Sequence, residues 1–179
     1  MMFRLPSALL LLLLWGCAWA GGYSVNVTYA NLSDSYVYPY RVLINGKYGA
    51  PVAELLRCSN SFGLGGLVEM VAQRPPRFVT VEWENLLHRR AYRAQIDLSD
   101  VGVEWWRISP FRDRSGRHLS RPPVLVIEWR ARNRVAAILA ADSMGYDKGR
   151  LELGEAEGVE IPQPKGGGEV IHVIFRIHW

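Results

Sequence analysis

The chain has 179 residues, of which 49% are hydrophobic and 21% are charged, and its formal net charge is +4. This composition is typical of a globular protein and excludes an extended disordered chain, and the length is that of one domain. So small a net charge gives no electrostatic reason to expect a nucleic-acid partner.

The first 20 residues have the pattern of an export signal. Arg4 is their one charged residue, a leucine run follows at positions 9–14, and small residues come next. Because the apolar run is too short to span a bilayer, we expect a secretory signal peptide. Two cleavage sites compete: one after Ala20, at an A-x-A sequence, and one before Cys17.

Cleavage before Cys17 would make the protein a lipoprotein. Residues 14–17, Leu-Trp-Gly-Cys, resemble the box at which bacterial lipoproteins are cut and lipid-modified, and Ala18 is similar to lipoproteins sorted to the outer membrane. We predict a signal peptide over 1–16 (alternatively 1–20), an anchor linker over 17–22, and lipid on Cys17. The protein would then face the periplasm; the alternative is a soluble periplasmic or secreted protein.

Cysteine use points to a fold without disulfides. The chain has two cysteines, and Cys17 is either lipid-modified or removed with the signal peptide. Cys58 is then left without a partner, so the fold must be stabilised by its core.

Alternating apolar and polar residues predict strands from the start of the mature domain, 23–179. Residues 23–29 and 40–45 have the period of two that half-buried strands show, with a polar turn at 31–35 between them. Asn45-Gly46 is a hairpin signal, because a type I′ turn needs positive φ at both central residues. We expect an antiparallel meander here.

Two later stretches resemble each other. Residues 78–83 (FVTVEW) and 124–129 (VLVIEW) each follow Arg-Pro-Pro with one gap, and proline fits at the start of a strand rather than inside it. Alternate residues form an apolar face that ends on Trp83 or Trp129. We expect two similar strands in one core, with Glu82 and Glu128 on the solvated face.

The rest of the chain continues the pattern. Further strands are predicted at 52–56, 67–71, 92–98, 100–108 and 171–179, with a turn at 86–90. Residues 135–141 stay open, since their alanines favour a helix and their short length favours a strand. About ten short strands predict an all-β fold, either an antiparallel β-sandwich or an open barrel, with at most one short helix.

No catalytic motif stands out. The sequence has no nucleophile elbow, zinc-protease motif, P-loop or C-x-x-C pair, so we predict neither enzyme activity nor a cofactor. His172 and His178 lie six residues apart on one predicted strand, about 20 Å, so we expect solvent-facing histidines and no metal site. No histidine follows Cys58 closely enough to act as its base, and we expect a structural cysteine.

The segment 112–121 is a polar loop rich in arginine. Such a loop attracts an acidic partner or anionic head groups, and the alternative is a solvated surface loop. Two tryptophans precede it in a predicted strand, where neighbouring side chains face opposite sides, so one is expected in the core and one on the surface. Since Trp and Arg are enriched at interface hot spots, the predicted partner-binding residues are Trp105, Trp106, Arg112, Arg114, Arg117 and Arg121.

A family resemblance is carried by four short motifs. They are V-x-Y-x-N-x-S-D at 27–34, V-L-I-N-G at 42–46, G-L-G-G at 63–66 and V-E-W at 81–83. Together with the lipoprotein box, they resemble small bacterial envelope lipoproteins of unknown function. The resemblance covers about the first half of the mature chain.

Some lipoproteins of that kind are immunity proteins beside type VI secretion phospholipase effectors. The resemblance therefore implies a lipid-anchored, periplasm-facing protein that binds and neutralises a secreted toxin without catalysis. Only Cys17 matches a functional position of the family. The alternative is an envelope lipoprotein of structural or unknown role with no toxin partner.

Overall fold

A computed structural model describes residues 23–48, 68–72, 74–106, 110–119, 123–141 and 149–164. Ten strands and one short 3-10 helix, Val103–Trp106, lie in these ranges. The strands are β1 (Tyr23–Asn31), β2 (Val37–Ile44), β3 (Lys47–Tyr48), β4 (Val68–Ala72), β5 (Phe78–Asn85), β6 (Arg90–Asp97), β7 (Val124–Arg130), β8 (Arg134–Ala140), β9 (Arg150–Glu157) and β10 (Val159–Ile161).

The strands form two five-stranded sheets that face each other across one core. Sheet 1 has the order β4-β1-β7-β8-β9, and sheet 2 has the order β10-β6-β5-β2-β3. All described pairings are antiparallel except that of β1 with β7, which is parallel. The prediction of an all-β sandwich is confirmed, and the described strands do not close into a barrel.

The predicted opening meander is wrong. β1 lies in sheet 1 between β4 and β7, whereas β2 lies in sheet 2 beside β5, so the polar turn after Asn31 crosses from one sheet to the other. The hairpin prediction at Asn45-Gly46 is confirmed. Their φ angles are 51° and 71°, and Ile44 pairs with Lys47 across the turn.

The two similar stretches become the central strands of opposite sheets. β5 in sheet 2 and β7 in sheet 1 send their apolar faces into the same core, as predicted. Trp83 and Trp129 are both buried there. Trp83 stacks on Tyr92, with ring centroids 5.7 Å apart, and Trp129 lies 6.1 Å from Tyr29.

Residues 134–140 form a strand, β8, which settles the open choice between helix and strand. Both faces of this strand are buried: one joins the core, and the other joins a second apolar cluster with Ala30, Val124 and Val126. A strand buried on both faces is apolar at nearly every position. The sequence of β8 therefore lacks the alternation of apolar and polar residues by which a strand is recognised.

The predicted strand at 100–108 is wrong, because residues 103–106 form the 3-10 helix. The strand predicted at 67–71 is confirmed as β4, shifted by one residue. Other predictions lie outside the described residues: the signal peptide and linker with Cys17, the strand at 52–56 with neighbouring Cys58, Arg121, and the strand at 171–179 with His172 and His178.

Candidate functional site: a polar cleft at one end of the sandwich

Three of the predicted partner-binding arginines, Arg112, Arg114 and Arg117, lie in one exposed loop, residues 110–119. Arg112 and His118 form an isolated bridge, and the Arg112 guanidinium donates to the Gly116 carbonyl at 2.7 Å. Asp113 organises the tip, because its Oδ1 accepts hydrogen bonds from Ser115 and from the backbone N–H of Arg117 at 3.0 Å. These bonds, with that of the Ser115 hydroxyl the largest cause, lower the pKa of Asp113.

The two tryptophans before this loop are placed differently from each other. Trp106 is only 3% exposed and belongs to the core, whereas Trp105 is partly buried and packs against the core from outside. One inward and one outward ring were expected, but from a strand rather than a 3-10 helix. Trp106 therefore offers almost no surface, and the partner role of Trp105, Arg112, Arg114 and Arg117 stays a prediction.

Glu82 and Glu128 correct a second expectation. Both lie on the outward faces of their sheets, yet they are only 6% and 1% exposed, so the predicted solvated face is wrong. Arginines cover them: Arg93 Nε donates to Glu82 at 2.8 Å, and Arg150 Nη2 donates to both oxygens of Glu128 at 2.8 and 2.9 Å. A buried carboxylate needs such partners, because burial of an unpaired charge is costly.

Arg130 extends the Glu128 pair into a network on the outer face of sheet 1. It donates to Glu128 at 2.8 Å, to Glu152 at 2.6 Å and to Glu155 at 2.9 Å, and Arg134 also pairs with Glu155. Its hydrogen bond lowers the pKa of Glu152, and the bonds to the carboxylates raise the pKa of Arg130. The positive charge of Arg130 is therefore committed within the protein.

Glu84 is a third buried carboxylate, on the outer face of sheet 2. It accepts from the Tyr40 hydroxyl at 2.5 Å and from Gln163 Nε2 at 2.9 Å, which ties the segment after β10 to this sheet. Burial, followed by the hydrogen bond to Glu84, raises the pKa of Tyr40. Each carboxylate oxygen of Glu84 therefore has a hydrogen-bond partner, and we assign the residue a structural role.

A cleft of about 210 Å³ opens at one end of the sandwich. Three turns form it: the crossing turn after β1, the β5–β6 turn and the β7–β8 turn. We call this region the cleft end. The 3-10 helix and the arginine loop lie at the opposite end, because they follow β6, which runs away from the cleft end.

The crossing turn is fixed by its own hydrogen bonds. Asn31 Oδ1 accepts from the Ser33 backbone N–H at 3.0 Å and from its hydroxyl at 2.6 Å, and Asn31 Nδ2 donates to the Ser35 carbonyl at 2.9 Å. The backbone N–H of Leu32 donates to the Trp129 carbonyl at 2.8 Å, which holds the turn against sheet 1. Short polar side chains of this kind stabilise turns by bonding nearby backbone groups.

The two hairpin turns face each other across the cleft. Asn85 Nδ2 in one donates to Asn133 Oδ1 in the other at 3.3 Å. Arg132 and Asn133 both adopt left-handed φ angles, 59° and 54°, which Asn tolerates better than most residues. Trp83 and Trp129 line the cleft, and His88 and Asp34 lie near its mouth as exposed residues.

The turns at the cleft end carry exposed apolar side chains next in sequence to residues that line the cleft. Among the described residues, five large hydrophobic side chains are strongly exposed, and three of them lie in the turns at this end: Leu87 at 66%, Tyr36 at 42% and Leu32 at 40%. The backbone N–H of Leu86 bonds the Tyr36 carbonyl at 3.0 Å and so joins two of these turns. Two of the three turns, at 31–35 and 86–90, were predicted from the sequence. Their proximity in the fold was not, because no local pattern indicates which turns pack together.

The described part of the molecule is an all-β sandwich with a polar cleft at one end. No protein-family model, no curated protein and no solved structure matches the chain. Within the described ranges, no group of three or more His, Cys, Asp or Glu side chains is arranged to hold a metal ion. None of the helices described there is long and apolar enough to cross a membrane.

Proposed function

We propose that this protein binds a protein partner through the cleft end. The observation that carries the proposal is that three strongly exposed apolar residues, Leu32, Tyr36 and Leu87, lie in turns that also supply residues of the polar cleft. Exposed apolar side chains that are scattered singly need no explanation, but a cluster next to polar groups is typical of an interaction surface. Aromatic and arginine side chains at the centre of such surfaces contribute most of the binding energy.

The class of partner comes from the family resemblance. We propose a secreted phospholipase-type effector, which this protein would bind stoichiometrically as an immunity protein. A binding role requires a rigid presented surface rather than reactive groups. The hydrogen bonds within the crossing turn and between Asn85 and Asn133 supply that rigidity.

The test pairs the purified mature protein with a candidate phospholipase effector taken from the genes that flank its own, with vesicle lipid hydrolysis as the readout. We expect inhibition to reach its limit at one protein per enzyme. Leu87→Asp places a charge in the proposed interface and should weaken inhibition at least about tenfold, since the charge must be desolvated there. Val103→Asp is the matched control, because Val103 is 48% exposed at the opposite end.

Two outcomes would contradict the proposal. Equal inhibition by the Leu87 and Val103 variants would remove the cleft end from the interface. A lack of inhibition by the unmodified protein would favour the alternative, an envelope lipoprotein of structural or unknown role with no toxin partner. Circular dichroism of each variant would verify that the fold is kept.

The location is a separate proposal. We propose that Cys17 carries lipid and holds the protein on the periplasmic side of the outer membrane, which would place the cleft end where an incoming effector acts. The support is the lipoprotein box at 14–17. Mass spectrometry of the membrane-extracted protein should find lipid on Cys17 that the Cys17→Ala variant lacks. A mature protein that begins at Gly21 would mean soluble release.

A further inference from the structure

We infer that the end of the sandwich opposite the cleft docks on an anionic lipid bilayer. We call it the loop end; it comprises the 3-10 helix, residues 103–106, and the arginine loop, residues 110–119. The inference rests on the proposed Cys17 lipid for the position of the bilayer, and on the described residues for the chemistry of the contact. Three observations support it: the direction of β1, the cations of the loop, and the apolar side chains beside them.

The direction of β1 places the start of the mature domain at the loop end. β1 finishes at Asn31 in the crossing turn of the cleft end, so Tyr23 lies at the other end of the strand. Asn26 pairs with Val124, the first residue of the strand that follows the arginine loop, and β1 also contacts the 3-10 helix. Cys17 precedes Tyr23 by six residues, which reach at most about 20 Å when fully extended. A lipid on Cys17 would therefore keep the loop end nearer the bilayer than the cleft end.

The arginine loop carries the excess of positive charge at this end. Its three arginines are exposed, the Arg117 side chain to 84%, and its one acidic residue, Asp113, is engaged in the hydrogen bonds of the tip. The other exposed charges described here are balanced, three against three: Lys47, Arg74 and Arg77 against Asp97, Asp100 and Glu104. An anionic bilayer attracts clustered arginines that lie within about a Debye length, 8–10 Å, of its surface.

Hydrogen bonds hold the loop in one shape. The Asp113 backbone N–H donates to the Arg117 carbonyl at 2.8 Å, and the Leu119 N–H donates to the Phe111 carbonyl at 3.0 Å. The Phe111 ring lies directly against Gly149, where a Cβ would clash with it, so the base of the loop packs on the residue before β9. A loop that is already ordered loses little conformational entropy when it docks.

Apolar and aromatic side chains accompany these cations. Val103 is 48% exposed in the 3-10 helix, and Trp105 is only partly buried. An indole suits the boundary between water and acyl chains, because its ring is apolar and its N–H is polar. Binding to a bilayer surface increases with apolar contact as well as with charge. The cations would also suit an acidic protein, but these side chains and the direction of β1 favour lipid.

The test measures co-flotation of the mature chain with vesicles, using Cys17→Ala so that no acyl chain contributes. We expect binding to vesicles of equal parts phosphatidylcholine and phosphatidylglycerol, and little binding to pure phosphatidylcholine. Binding should fall as salt rises from about 0.1 M to about 1 M, because the Debye length shrinks from about 10 Å to about 3 Å.

Two pairs of substitutions locate the contact. Arg114→Asn with Arg117→Asn should weaken vesicle binding about thirtyfold, since each arginine near an anionic surface contributes about 1 kcal/mol. Arg89→Asn with Arg132→Asn is the matched control. It removes the same charge from exposed positions at the cleft end, and Asn suits their left-handed φ angles. Its binding should be nearly unchanged, because a whole strand length separates these positions from the loop end.

Single aspartates separate this inference from the proposed partner. Val103→Asp adds a negative charge at the loop end, so it should weaken vesicle binding about fivefold or more and leave effector inhibition unchanged. Leu87→Asp should do the reverse. Circular dichroism of each variant verifies that the fold is kept.

The inference is overturned if neutral and anionic vesicles bind the protein equally, if neither binds it, or if the two arginine pairs weaken binding equally. Unchanged binding by the Arg114 and Arg117 variant would overturn it in favour of an acidic protein at this loop. Absent vesicle binding with lipid still found on Cys17 refutes only the docking. Vesicle binding by a protein that matures at Gly21 refutes only the anchor, and vesicle binding without effector inhibition refutes only the proposed partner.

Discussion

Tyr29→Phe is expected to make the protein more stable at neutral pH. Tyr29 is buried in the core beside Trp129, and its hydroxyl has no hydrogen-bond partner in the described part of the chain. An unsatisfied buried polar group costs about 1–3 kcal/mol, and phenylalanine keeps the ring while it removes that group. We expect the free energy of unfolding to rise by about 1 kcal/mol.

The same substitution should reduce sensitivity to alkali. Burial raises the pKa of Tyr29 to about 12 from its ordinary value of 10.0, so the unfolded chain loses this proton before the folded protein does. The stability linked to Tyr29 is therefore complete below pH 10 and is lost as the pH rises towards 12. At pH 11 the loss is about 1.4 kcal/mol, which corresponds to one pKa unit.

Urea unfolding followed by far-UV circular dichroism at pH 8 and pH 11 measures both effects. The stability gap between Tyr29→Phe and the unmodified protein should widen from about 1 to about 2.4 kcal/mol. Tyr40, whose pKa is also raised, titrates in both proteins and cancels in the difference. A variant that is less stable at pH 8, or a gap that does not change with pH, would refute this reasoning.

Three further substitutions test the packing and the charge network. Arg130→Ala should cost about 2 kcal/mol in urea unfolding, because the buried Glu128 loses one of its two arginine partners, and adding Glu128→Gln should recover part of the loss. Gly158→Ala should lower the melting temperature by several degrees, since its Cβ would lie 2.6 Å from the buried Trp83 ring. Asn45→Ala should cost about 2 kcal/mol through three lost hydrogen bonds and a left-handed φ of 51°.

Matched substitutions separate these causes from general damage. Arg114→Ala, in the exposed loop, should leave stability unchanged where Arg130→Ala does not. Gly102→Ala meets only the flexible end of Glu104 and should cost little compared with Gly158→Ala. Full stability of the Arg130 variant would mean that Arg150 alone compensates Glu128, and an unchanged melt for Gly158→Ala would mean that Trp83 can move.

The core could be predicted from sequence because alternation is a local property of a strand. Val79, Val81 and Trp83 in β5 were assigned to one face, and all are buried in the core. The same reasoning placed Tyr92 and Ile96 correctly in β6. Each assignment needed only the two-residue period, which holds whatever the strand pairs with.

Pairing between strands is not local, and there the prediction failed. β1 pairs in parallel with β7, about 100 residues later, at Val27 with Leu125 and at Tyr29 with Ile127. Nothing in residues 23–31 distinguishes this partner from β2, the neighbour in sequence. Consecutive strands are usually adjacent, which favoured the meander.

The buried glutamates show a related limit. Alternation correctly put Glu82 and Glu128 on the outward faces, but it says nothing about what covers an outward face. Arg93 covers Glu82 because the register of β5 and β6 places the two residues directly opposite each other. Arg150 reaches Glu128 from two strands away, since β8 lies between β7 and β9. Opposite charges at cross-strand positions become a readable signal only once the register is known.

The cleft forms where the two similar stretches end, although neither stretch contains a local sequence signal for it. Each copy ends on a core tryptophan, Trp83 or Trp129, and each is followed by a tight hairpin turn. Because the two strands are central in opposite sheets and end at the same end of the sandwich, their turns must face each other across the core. Asn85 and Asn133 then meet at 3.3 Å, and the space in front of the tryptophans becomes the cleft. The two similar strands therefore do more than fill the core: they also position the turns at the cleft end, which we propose to bind the partner.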